Sequence, residues 1–110
     1  MITVSFFLNK DGLISGFQSE GHADAGEYGY DIVCSAVSAL TINTVNAIEN
    51  LTEARFEEEA NEEGGFLKVI LVPQSEEDRD SQLLLKALQL GINQMADNYP
   101  ENLRIRHIER

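Results

Sequence analysis

A chain of 110 residues, 43% of them hydrophobic, suits one compact domain with a real core and is too apolar for a disordered segment. Its formal charge of −11 argues against direct nucleic-acid binding, because phosphate backbones call for Lys and Arg. The same charge favours a basic partner through long-range attraction, or simply keeps a small protein in solution. One cysteine rules out an internal disulfide and a multi-thiolate zinc site. With two histidines besides, neither a metal nor a cofactor is expected. No stretch is expected to supply the roughly 20 apolar residues of a membrane span. Met1 to Phe6 lacks the basic patch and cleavage site of a signal peptide, and a lone thiol tolerates a reducing compartment, so a cytoplasmic protein is expected.

In chain order, residues 2–8 alternate, with Ile2, Val4, Phe6 and Leu8 on one side and Thr3 and Ser5 on the other, which predicts a strand. Asn9-Lys10-Asp11-Gly12 is a turn, and Leu13 to Ser19 returns as the second strand of a hairpin. Residues 21–31 break every period and read as a loop punctuated by Gly21, Gly26 and Gly29. From Val33 to Leu51 the spacing becomes helical, through Val33, Val37, Leu40, Thr44, Ile48 and Leu51. This helix carries no charge before Glu49, which predicts a central, largely buried element. Residues 53–60 read as a strand with Glu53, Arg55, Glu57 and Glu59 on one side and Ala54, Phe56 and Glu58 on the other. A turn over 61–65 leads to an apolar strand, Phe66 to Val72, stopped by Pro73. An acidic connector precedes a second helix, Leu83 to Tyr99, whose stripe of Leu84, Leu88, Ile92, Met95 and Tyr99 is widened by Leu85, Leu90 and Ala96. Pro100 ends it, and Leu103 to His107 forms a last short strand. The order β-β-α-β-β-α-β predicts an α+β sandwich in a single domain over 1–110, with two long helices on one face of a mainly antiparallel sheet.

The chemistry concentrates between Gly21 and Cys34. Cys34 falls in the first turn of the predicted helix, where unpaired N–H groups and the helix dipole favour a thiolate and can hold the oxyanion of an attacked carbonyl. His22 lies twelve residues upstream on the loop, within plausible reach of the thiol, and imidazole can take its proton and return it to a leaving amine. Asp31 has two readings, as the helix N-cap or as the group that orients His22. Ser38 stands one turn beyond Cys34 on the same face and either hydrogen-bonds near the thiol or bonds back to its own helix. Tyr28 and Tyr30 either line a groove for an apolar peptide or pack the loop onto the body. His107 is read as a surface residue on the terminal strand.

Gly21-His22-Ala23, then Gly26, Gly29 and Asp31, then Val33-Cys34-Ser35-Ala36-Val37-Ser38 together resemble the signature of the ribosomal-processing cysteine protease family, Prp. The motif covers residues 21–40, and length and element order fit along the rest of the chain. The resemblance implies a cysteine endopeptidase that removes the N-terminal extension of precursor ribosomal protein bL27, with His22 as base and Cys34 as nucleophile. Asp31 and Ser38 carry over as supporting residues. It further implies a homodimer, cleavage after a segment containing aromatic residues, and a loop that closes as substrate binds; Gly21, Gly26 and Gly29 would let it move. A basic ribosomal substrate suits a chain of charge −11. Two other readings make different predictions. A non-enzymatic ribosome-assembly factor would use the acidic surface and keep Cys34 as packing. A redox sensor would oxidise Cys34 but has no second cysteine to resolve it.

Overall fold

The computed structural model describes residues 1–21, 28–61 and 65–110; in the helix that begins at Tyr28, side chains are described from residue 32 onward. Strands β1 (Ile2–Leu8) and β2 (Ile14–Glu20) form the N-terminal hairpin, and helix α1 (Tyr28–Leu51) follows. Strands β3 (Phe56–Ala60) and β4 (Phe66–Leu71) form a second hairpin; helix α2 (Arg79–Asn98) and strand β5 (Leu103–Glu109) complete the chain. This is the expected β-β-α-β-β-α-β order, with one extra turn of 3-10 helix at Pro73–Ser75.

The strands lie in the order β3-β4-β2-β1-β5. Three ladders are antiparallel and one, β1 with β5, is parallel, so the sheet is mixed but mainly antiparallel. Strand periodicity puts Ile2, Val4 and Phe6 on one face, and the register adds Phe17, Val69, Leu71 and Leu103 to it. All seven are buried there with Val33, Val37, Val45 and Ile48 of α1 and Leu85, Leu88 and Ile92 of α2. Both helices therefore cover the same face. On the other face Lys68 and Arg110 lie over the ring of Phe7, which explains how Phe7 can be buried without a helix above it.

Several boundaries differ from the sequence reading, each for a local reason. The first helix starts at Tyr28 rather than Val33, inside the segment read as a loop. That helix is not largely buried: Ile42 and Leu51 are exposed, and its inward side alone reaches the core. By length and composition Ile32–Leu51 also reaches the range of a membrane-crossing helix, which corrects the expectation that no stretch does; here its inward side packs on the sheet. The strand expected from residue 53 begins at Phe56, because 52–55 is held by side chains: Thr52 Oγ1 accepts from Ala54 N–H, and Ser75 Oγ accepts from Arg55 N–H. The second helix starts at Arg79 because Asp78 caps it, accepting from the Ser81 N–H at 2.9 Å and from the Ser81 hydroxyl at 2.6 Å. Those bonds to Ser81 hold the Asp78 carboxyl below the usual Asp range. Leu90, expected on the buried stripe, is exposed.

Gln82 ties α2 to the hairpin. Its Oε1 accepts from Ile14 N–H, while its Nε2 donates to the carbonyls of Ile14 and Glu76. The residue is buried, and the three bonds pair two backbone groups at the start of β2 and one in the connector before α2.

Candidate active site

Helix α1 presents one stripe to a groove of about 310 Å³ at the edge of the sheet. Cys34, Ser38, Thr41 and Ile42 recur at the spacing of one helix face and form its first wall. The second hairpin forms the opposite wall, through Glu58 and Ala60 of β3 and Phe66 and Leu67 of β4. Ile2, Ser19 and Gly21 close the end where β1 and β2 meet it. Cys34 is half-buried: its inner side packs on the core while it also borders the groove. It is not the fully buried small hydrophobe that a cysteine in an apolar helix often is.

Gly21 anchors the segment that carries His22. Its N–H donates to the Gly65 carbonyl at 2.9 Å, and its φ is +142°, a conformation that L side chains rarely adopt. A Cβ at this position would lie 2.5 Å from the Met1 carbonyl oxygen and 2.9 Å from the Ile2 Cα. Gly21 is thus wedged against the start of β1, one peptide unit from His22 and on the wall of the same groove as Cys34.

His22 and Gly26 lie outside the described residues. Tyr28, Gly29, Tyr30 and Asp31 belong to α1 rather than to a loop. Two sequence readings change as a result. Cys34 is the seventh residue of the helix and so sits in its second turn, not its first. The free amides of the helix start are therefore not beside it as expected, and the dipole effect fades beyond the first turn. Asp31 is the fourth residue of the helix and does not occupy the N-cap. Ser38 is exposed on the groove, and its hydroxyl makes no hydrogen bond with any described residue, so the back-bonded reading is not what the structure shows. His107 is exposed on β5 as read; it stacks on Phe6 and accepts from Gln89 Nε2 at 2.9 Å, and it does not line the groove.

The second wall is not among the residues that the sequence singles out. Its signal in the sequence was weak but present: Glu58 is the one acid that strand alternation puts on the same side as Ala54 and Phe56. Among the described residues no three His, Cys, Asp or Glu side chains converge as a metal site would need.

A half-buried thiol on a groove between a helix and an edge hairpin is open to a bound molecule and can act on it as a nucleophile. The family model for the cysteine protease Prp matches residues 1–104. The ribosomal processing cysteine protease Prp of Staphylococcus aureus is 35% identical over 107 residues, covering 97% of this chain and 99% of that protein. Its counterpart in Bacillus subtilis is 31% identical over 110 residues, covering 96% of each. The crystal structure of an essential ribosomal processing protease Prp from S. aureus, with a covalently linked product peptide, superposes with a TM-score of 0.87 at 34% identity, covering 97% of this chain and 99% of that one. The chain belongs to the ribosomal processing cysteine protease Prp family. It is a cysteine protease, which removes the assembly-factor and redox-sensor readings as its primary role.

Proposed function

We propose that the protein removes the N-terminal extension of precursor ribosomal protein bL27, with Cys34 as nucleophile and His22 as general base. The observation that carries this reading is that Cys34 and Gly21, the residue bonded to His22, line one groove. Cys34 Sγ attacks the scissile carbonyl as His22 takes the thiol proton. The tetrahedral intermediate collapses, His22 protonates the leaving amine, and a thioester remains. Water, deprotonated by the same imidazole, then cleaves the thioester and restores the thiol. With Cys34 in the second turn of α1, the helix start is poorly placed to activate the thiol, and the base carries that task.

Asp31 orients His22 in this proposal, its N-cap reading having lost its geometric basis. Ser38, free on the groove wall beside Cys34, supplies a hydrogen bond to the reacting carbonyl or to the peptide. Tyr28 and Tyr30 contribute to binding an apolar or aromatic segment. Gly26 serves the closure of the segment between Gly21 and α1, with Gly21 as its fixed end and Gly29, in the first turn of α1, at the other. The enzyme acts as one domain over 1–110, in the cytoplasm where ribosomal proteins are made, without cofactor or metal. The homodimer belongs to the proposal too. Its support is the exposed side of α1, which carries no charge from Ile32 to Ile48 and presents Ile32, outside the groove lining, on a chain of charge −11.

The test is cleavage of a peptide spanning the extension–body junction of the source organism's bL27, followed by mass spectrometry. One defined cut by the wild type, absent with Cys34→Ala and with His22→Ala, is expected. Undiminished cleavage by His22→Ala would remove the dyad. Binding without any cut would remove bL27 as substrate.

A further inference from the structure

Glu58 stands where an acid is out of place. Strand alternation on β3 puts Phe56, Glu58 and Ala60 on the helix-bearing face, opposite Leu71, Val69 and Leu67 of β4. The neighbouring acids differ: Glu57 and Glu59 point to the open face, where Glu59 pairs in register with Lys68. Glu58 has only Val69 across the ladder and makes no hydrogen bond or ion pair with any described residue. It stays exposed at the rim of the Cys34 groove.

Cys34 apart, Glu58 is the one ionisable side chain among the described residues that line that groove, and none of those residues is a cation; Glu58 also borders a neighbouring cleft with Lys68 and Arg110, with neither of which it forms an ion pair. The remaining wall is apolar, through Ile42, Phe66 and Leu67, or neutral and polar, through Ser38 and Thr41. A groove of this kind takes apolar side chains along its length and concentrates its selection for charge in one carboxylate. We propose that Glu58 is a specificity-determining residue that accepts a Lys or Arg side chain of the peptide bound across Cys34. The inference rests on the protease reading of the groove and adds to it a basic position in the substrate. Lys and Arg lay their aliphatic stems along apolar walls while the cation stays at the rim, which fits Phe66 and Leu67 beside an exposed carboxylate. A basic position also adds discrimination that an apolar pocket alone lacks, since like charge or no charge leaves the carboxylate unpaired.

An inward-pointing charge on an edge strand can also serve to block strand pairing, and β3 is an edge strand. That role would leave substrate ranking unchanged, and the experiment turns on this difference. A junction peptide that carries Lys or Arg is compared with a series in which each basic residue in turn becomes norleucine, which keeps the stem and loses the charge. Wild type and Glu58→Gln are assayed for kcat and KM on every peptide. For one peptide the wild type should lose about fivefold in kcat/KM, mostly through KM, as a partly exposed ion pair allows. Glu58→Gln should cut that peptide and its parent equally well. The wild-type preference should shrink at high ionic strength. If the wild type cuts all peptides alike, or if Glu58→Gln keeps the wild-type ranking, the specificity role is overturned while the protease reading stands. If the wild type does not cut the parent peptide, the reading of the groove falls and the inference falls with it.

Discussion

Gly21 offers the sharpest test of how the fold sets the active site, and Gly12 supplies its control. Both have positive φ, +142° at Gly21 and +82° at Gly12. A Cβ on Gly12 meets nothing within 4 Å, so Gly12→Ala bears only the conformational cost, about 1 kcal/mol. A Cβ on Gly21 would stand 2.5 Å from the Met1 carbonyl oxygen and 2.9 Å from the Ile2 Cα, both backbone atoms that no rotamer change can move. Reaching even the shortest contact that real Cβ atoms tolerate, 3.0 Å, needs a shift of about 0.5 Å at the start of β1 or in Gly21 itself. Backbone strain of this kind costs about 1–3 kcal/mol, which for a chain of this size lowers Tm by roughly 5–15 °C. The shift falls on the residue bonded to His22. A displacement approaching 1 Å in a catalytic group costs up to about 100-fold in rate, so Gly21→Ala should lose roughly 10- to 100-fold in kcat/KM at a temperature where it remains folded. Gly12→Ala should keep full activity. Thermal denaturation by circular dichroism and cleavage of the junction peptide measure the two effects separately. If Gly21→Ala cleaves like Gly12→Ala, Gly21 does not set the position of His22, the proposed base.

Gln82→Leu keeps volume but leaves the Ile14 N–H and the Ile14 and Glu76 carbonyls without their partner. A loss of about 2–4 kcal/mol is expected, read as a fall in the urea midpoint, and a change below about 0.5 kcal/mol would mean that water replaces the amide there. Asp78→Asn tests the cap of α2. The folded-state carboxyl lies below its unfolded value because Ser81 donates to it twice, so the stabilisation is complete above the ordinary Asp range and is lost as pH falls through the lowered folded value. Wild type should therefore exceed Asp78→Asn in stability at pH 7 and lose that excess progressively below about pH 4; a difference that persists unchanged at pH 2 would assign it to something other than the charge. Gly26→Val should reduce turnover while leaving Tm unchanged, if closure of the glycine-rich segment accompanies substrate binding, and full cleavage by that variant would count against closure.

The strands were legible because their periods are simple. The alternation of Ile2, Val4 and Phe6 survives into the fold as one face of β1, and Pro73 ends β4 two residues after Leu71. Boundaries set by side-chain hydrogen bonds were not legible, because nothing in a period announces them. Asp78 lies in the run Glu76-Glu77-Asp78-Arg79-Asp80, where any of several acids could cap; only the contact with Ser81 singles it out. The burial of α1 was overestimated for a related reason. Absence of charge from Val33 to Ile48 suggests burial, yet a helix lying on a sheet needs only one apolar side, and Val33, Val37, Val45 and Ile48 supply it. The outer side is uncharged without being covered in the single chain, and the homodimer proposed above would use it.

The site was legible in one wall only. Helical spacing puts Cys34 and Ser38 on one face, and both line the groove. The other wall depends on a pairing between β3 and β4 and on the place of that hairpin at the edge of the sheet, next to α1. No local pattern encodes which edge a hairpin joins. The sequence does carry a trace of the result, because Glu58 breaks the apolar side of an otherwise amphipathic strand. In a buried strand that break would cost the desolvation of a carboxylate and would be hard to retain. In a strand whose inward side forms the lip of a groove, water reaches the carboxylate and the cost is small. The same exposure leaves it open to a cation carried in by the substrate. Misplaced polarity on a periodic element is therefore informative about function once the fold shows that the element borders a cavity, and uninformative before that.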